Sequence, residues 1–128
     1  MAGFIPHVYG DGKVDGWVHL GAAVGTYHVG MALVLTSGNL TKAVGATKPT
    51  HICMCEKNVE TAGEVIAAIP VDPTTEFAVE LNDVTNISAG DHAAISLGAM
   101  SITEENGKFY IISTSGTQEG DVAIGRFE

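Results

Sequence analysis

The side chains able to do chemistry fall into three groups. His7, Asp11, Asp15 and His19 bring imidazoles and carboxylates together near the N-terminus, a set that would hold a divalent metal or serve as acid and base in hydrolysis if it converged. Glycines 10, 12, 16 and 21 surround these residues. With no helix or strand end to fix their geometry, turn and surface roles account for them better than catalysis. Asp91 and Asp121 each follow a glycine at the start of a short apolar run. A paired acid/base role competes there with an aspartate capping its own turn, and the repetition of Gly-Asp favours the cap. His51, Cys53 and Cys55 alternate and would share one face of a strand, yet three ligands on one straight strand do not close a tetrahedron around a metal. Cys53 and Cys55 are the only cysteines. Their Cα atoms would stand about 6.5 Å apart on an extended strand, near the outer limit for a disulfide, so both read as reduced, metal-free packing thiols. His28 and His92 flank apolar residues and read as packed or interfacial. The chain contains no nucleophile elbow, phosphate loop, HExxH or paired CxxC, so no cofactor is expected.

The elements that would position these groups are all strands. Ala99–Thr103 and Phe109–Ser113 are β-type runs separated by Asn106-Gly107, a pair that predicts a hairpin closed by a type I′ turn. The long apolar run from Thr26 to Thr36 turns at Ser37-Gly38-Asn39 into Leu40–Val44, which predicts a second hairpin. A helix competes only over Val59–Ile69, where Glu60, Glu64 and the alanines are good helix formers. Gly63 interrupts that stretch and Pro70 ends it, leaving too few residues to repay helix nucleation, so strand is preferred. In Glu76–Leu81 the alternation points Phe77, Val79 and Leu81 inward. Short strands at regular spacing, with turns between them, predict an all-β fold, a small Gly-rich antiparallel β-barrel or sandwich. Residues 1–25 follow no regular period beyond a short alternation leading into Val18 and Leu20. They read as an extended N-terminal arm, with residues 26–128 as the β-barrel domain.

Composition narrows the classes further. A chain of 128 residues with 45% hydrophobic and 16% charged residues is long enough to bury a core and too apolar for disorder. Its apolar runs are short and broken by glycine, unlike membrane-spanning segments. Lys and Arg total 6 against 15 acids, a net charge of −9, so nucleic acid is a poor partner for a surface that would have to neutralise phosphates. Residues 1–7 show neither a basic flank nor an apolar core of the kind a secretory signal has, and synthesis in the cytoplasm is the expectation. Large aromatics in a Gly-rich segment are costly to leave in water, so Phe4, Tyr9 and Trp17 read as anchors at an interface.

The succession Gly30–Leu35, Lys48–Met54, Ala62–Val71, Glu76-Phe77, Ala89-Gly90-Asp91 and Gly120–Phe127 resembles the small β-rich decoration, or head-stabilisation, proteins of tailed phages. The resemblance covers roughly residues 30 to 128 and rests on turn-and-strand patterns. It implies a β-tulip-like barrel without enzymatic activity that binds the outside of an assembled, expanded capsid, commonly as a homotrimer over local three-fold positions. The partner would be the major capsid protein, and the location the virion exterior. Because the N-terminal segment of such proteins commonly contacts the shell, the resemblance assigns capsid binding to Phe4, Ile5, His7, Tyr9, Trp17 and His19. A mean hydropathy of +0.23 on a chain with few charges fits an apolar subunit contact within a trimer. Two other classes remain open: a head-fibre or adhesin-like β module that displays a ligand-binding surface, and a small metal-dependent hydrolase using His7, Asp11, Asp15 and His19.

Overall fold

The computed structural model of the chain describes residues 3–8, 18–81, 87–103 and 105–128. Among them are thirteen strands and no helix: β1 Ile5–Val8, β2 Val18–Gly21, β3 Gly25–Tyr27, β4 Ala32–Thr36, β5 Asn39–Lys42, β6 His51–Cys53, β7 Lys57–Val59, β8 Val65–Pro70, β9 Glu76–Glu80, β10 His92–Ile95, β11 Ile102–Thr103, β12 Phe109–Thr114 and β13 Val122–Phe127. The fold is all-β, as the turn spacing predicts. The strands form a five-stranded sheet in the order β2-β8-β6-β4-β5, a six-stranded sheet in the order β1-β9-β13-β12-β10-β11, and the separate pair β3-β7.

Beneath this order lies an internal duplication. Setting aside β1, β3 and β7, each large sheet uses five strands, and in both the chain's first strand lies beside its fifth, followed by the fourth, second and third. Each sheet then curls until its two ends meet at one parallel bridge, Ala22 with Leu40 in the first and Leu81 with Ile102 in the second. The backbone hydrogen bonds repeat as well. Ala22 donates to the Glu64 carbonyl at 2.9 Å, as Leu81 does to Asp121 at 2.9 Å, and Gly30 donates to the Cys53 carbonyl at 2.8 Å, as Gly90 does to Ile111 at 2.8 Å.

The same four-residue turn opens the second and fifth strands of both modules. Residues 28–31, 61–64, 88–91 and 118–121 each close a bond from the N–H of the fourth residue to the carbonyl of the first, with the third residue a glycine at positive φ: Gly30, Gly63, Gly90 and Gly120. A type II turn demands that conformation, and glycine adopts it without steric cost. The predicted Gly-Asp turns at 90 and 120 are two of these four. The turn at Gly30 corrects the reading of Thr26–Thr36 as one run, because it divides that stretch into β3 and β4. The following hairpin is as expected, with Leu35 opposite Leu40 and Thr36 opposite Asn39.

The Asn106-Gly107 hairpin is not formed. β11 and β12 both pair with β10, one on each side of it, so β10 and β11 make the hairpin and the chain through Gly107 crosses to the far side. Gly107 lacks the positive φ of a type I′ turn, and a Cβ there would collide with the Ala93 carbonyl and the Ala94 Cα. Its glycine serves a close backbone approach rather than a turn. The strand reading of Val59–Ile69 holds, since β8 takes Val65–Pro70. β9 buries Phe77 and Val79 and leaves Glu76, Ala78 and Glu80 half-exposed.

One apolar core joins the modules. The second module is aromatic: the Phe109 and Phe127 rings lie 5.0 Å apart, and Phe77 is 5.7 Å from Phe127. The first is aliphatic, built on Leu33, Leu40, Ile52 and Ile66, with Tyr27 buried beside them and its hydroxyl donating to the Ala23 carbonyl at 2.7 Å. At the seam Gly45 and Ile95 exchange backbone hydrogen bonds, each 2.9 Å, and Ala32 donates to Ala99 at 2.8 Å.

The expected boundary at residue 25 is not a seam. β1 is the outermost strand of the six-stranded sheet and β2 the first of the five-stranded one, so the described residues of the expected arm belong to the two sheets. Pro6, which has no N–H to give a ladder, sits on the outermost strand, where its absence is tolerated.

Candidate functional site

The residues expected to contact a partner are divided by the fold. Phe4 is a core residue, fully buried, its ring 5.5 Å from Phe109 and 5.1 Å from Phe127. This corrects its reading as a surface anchor. Gly3 before it serves both backbone conformation and fit: it stands at φ 86°, and a Cβ on it would lie 2.7 Å from the Gly30 Cα. That close approach lets Phe4 donate its N–H to the Gly30 carbonyl at 2.7 Å and Gly3 donate to Met100 at 2.9 Å. Ile5 is half-buried and opposite Ala78, and His7 lies on the same strand. His19 is exposed on β2 of the five-stranded sheet, opposite Ala67. Tyr9 and Trp17, like Asp11 and Asp15, lie outside the described residues. What the structure retains of the candidate surface is therefore two strands in different sheets, β1 and β2, that flank residues 9–17 in the chain.

Several carboxylates are committed to backbone work. Glu64 accepts the N–H groups of Thr61 at 2.7 Å and Glu60 at 2.9 Å, with Lys57 at 3.7 Å, and the Thr61 bond foremost holds its carboxyl below the usual range. Asp91 accepts from Ser88 and Asp121 from Gln118, both at 2.9 Å. Each thus ties the fourth residue of its turn back to the first, the capping role read from the sequence. Glu56 is held low chiefly by His28, whose Nδ1 is 2.7 Å from its Oε1, and by the Val29 N–H at 2.6 Å. His28 is an exposed partner of this loop carboxylate rather than a packed ring.

The polar group that sequence reasoning missed crosses the outer face of the second module. His92, Tyr110 and Arg126 are cross-strand neighbours on β10, β12 and β13. The Arg126 guanidinium lies 4.8 Å from the centre of the Tyr110 ring, the His92 ring is 5.2 Å from the same ring, and Glu128 closes the row at 2.9 Å from His92 and 3.2 Å from Arg126. The His92 contact is the foremost reason the Glu128 carboxyl titrates low. His92 is exposed and paired rather than packed against the core. The available signal was Tyr110 and Arg126 at outward positions of their strands, but nothing local reveals that the two strands are adjacent.

Among the described residues no group of three His, Cys, Asp or Glu side chains is placed to hold a metal. Cys53 is buried at the end of β6 and Cys55 lies half-buried beyond it; both are free, and the Cys53 thiol donates to the Cys55 carbonyl at 3.2 Å. Burial pushes the Cys53 thiol up to about 11, and it is the thiolate that reacts. In native protein at neutral pH a thiol reagent is therefore expected to modify Cys55 alone, with Cys53 labelled only on unfolding. Mass mapping that finds both sites modified at equal rates would refute this. No protein-family model matches the chain, and no curated protein matches it.

Proposed function

We propose that the chain is a virion structural protein, a decoration subunit that binds the outside of an assembled phage capsid as a homotrimer over local three-fold positions and stabilises the shell. The observation that carries this reading is the succession of Gly-turns and strands from Gly30–Leu35 to Gly120–Phe127, which resembles that of capsid decoration proteins. Two curled sheets on one core, closed by repeated turns, suit a part that bears load, because close-packed interiors have low compressibility. Binding to the major capsid protein falls to Ile5, His7, Tyr9 and Trp17 and to the main chain at His19, with Phe4 holding β1 in place from within. Each subunit contributes a modest contact, and three linked subunits multiply them. A net charge of −9 per chain keeps free subunits apart at low salt.

The test is sedimentation with expanded capsids of the virus that encodes the chain. Wild-type protein is expected to pellet with particles and to saturate at three copies per local three-fold position. Trp17→Ala is expected to weaken binding at least about tenfold, the loss of roughly 1.4 kcal/mol typical of a truncated aromatic anchor. Protein that stays in the supernatant at every concentration, or that saturates as strict monomers, would overturn the proposal.

A further inference from the structure

The duplication makes each module a control for the other, and at one place they differ. β9, the first strand of the second module, has a neighbour on each side, β13 and β1. β2, its counterpart, pairs with β8, and no described strand lies along its other edge, which β5 meets only beyond the end of β2 at the Ala22–Leu40 bridge, as β11 meets the chain at Leu81 in the second module. Backbone direction shows that this edge corresponds to the one β1 occupies. Ala22 donates to the Glu64 carbonyl and accepts from the Gly63 N–H, both at 2.9 Å. Alternation along the strand turns the N–H and C=O of Leu20 and Val18 the same way, toward β8, and those of His19 the opposite way. In the second module Leu81 donates to Asp121 at 2.9 Å and accepts from Gly120 at 3.2 Å, so Ala78 faces away from β13. There it meets Ile5 of β1. His19 is the counterpart of Ala78 with no described strand opposite. Burial follows the same contrast: β9 buries Phe77 and Val79, whereas no residue of β2 is fully buried.

We propose that the outer edge of β2, centred on His19, accepts an extended segment of a partner protein, which adds to the first module as β1 adds to the second. The partner is a neutral or basic segment of another protein rather than a second copy of this chain. Each copy carries −9, so two copies repel while a basic segment is drawn in. Strand addition takes its affinity from main-chain hydrogen bonds and asks only for alternating small pockets from the side chains. The identity of this partner as the shell subunit rests on the capsid reading above.

Two substitutions separate backbone from side chain. His19→Pro removes the outward N–H while leaving untouched the bonds that Val18 and Leu20 make to β8, the position at which an edge strand tolerates proline. His19→Ala removes only the imidazole. In sedimentation with expanded capsids, His19→Pro is expected to lose at least about tenfold in affinity and His19→Ala less than about threefold, since the main chain carries strand addition. By hydrogen exchange, the His19 amide is expected to exchange much faster than the Ala78 amide in free protein and to become protected on the capsid. If wild-type protein binds and His19→Pro binds equally well, the strand-acceptor proposal is overturned and the capsid reading stands. An equal loss in His19→Ala would assign the contact to the side chain and overturn it too. Wild-type protein that fails to bind capsids overturns both the capsid reading and the partner named here. A His19 amide already protected in dilute free protein shows the edge to be filled and overturns the acceptor outright. Protection that appears only on concentrating the protein alone assigns the edge to a second copy. Should His19→Pro fail to fold, the exchange measurement decides.

Discussion

Phe4→Ala is expected to destabilise the protein by about 3–5 kcal/mol, the range for truncating a buried phenylalanine. Phe4 is fully buried and touches both Phe109 and Phe127, so truncation leaves a cavity at the centre of the aromatic cluster. The surroundings have little freedom to collapse into it. Gly3 is fixed against Gly30, and β1 is tied through Ile5 to β9. The loss should appear as a fall of roughly 10–20 °C in Tm for a chain of this size, in the absence of any capsid. Denaturant titration would check it, with the midpoint lowered and the slope unchanged. A near-wild-type midpoint together with lost capsid binding would mean that the ring is an external anchor after all. By the same reasoning, removing residues 2–20 should prevent native folding, because it takes away β1, the core ring it carries and most of β2.

That correction shows which parts of the molecule were legible in the sequence. Turns were readable because their chemistry is local: Gly90-Asp91 and Gly120-Asp121 announce both the positive φ and the carboxylate that caps it. The other two copies of the turn were harder to see. At Gly30 the fourth residue is Met31, which cannot cap, and at Gly63 it is Glu64, which reaches two N–H groups with a longer arm. The duplication is therefore written in backbone geometry, with Ala22 answering to Leu81 and Cys53 to Ile111, pairs that share little beyond an apolar surface. Phe4 was misread for a related reason. A Gly-rich flank signals either freedom or close approach, and only the partner backbone at Gly30 decides between them. The contact residues were only partly legible: Ile5 and His19 lie on the outermost strands of two different sheets, while the His92–Tyr110–Arg126 row depends on pairings between residues distant in the chain.

Gly107→Ala is the second large effect expected, and it tests the strand order directly. Asn106-Gly107 is a strong hairpin signal, and a true type I′ turn there would respond to alanine mainly through the cost of positive φ. Gly107 has no such φ, and its obstacle is backbone: the carbonyl of Ala93 and the Cα of Ala94 occupy the space a methyl group would need. Neither atom can swing aside as a flexible side chain would, because Ala93 is held in β10 opposite Phe109 and Ala94 opposite Thr103. The methyl must push the crossing strand off the sheet, at a cost of about 2–4 kcal/mol on the scale of overpacked sites. Gly98, in the turn between β10 and β11, supplies the control, since a Cβ there meets nothing within 4 Å and its φ is not in the left-handed range. Gly98→Ala should change stability by no more than about 0.5 kcal/mol. Equal and small effects of the two substitutions on the unfolding midpoint would mean that the chain does not cross β10 at Gly107. The order β12-β10-β11 would then have to give way to the hairpin that the Asn-Gly pair suggests.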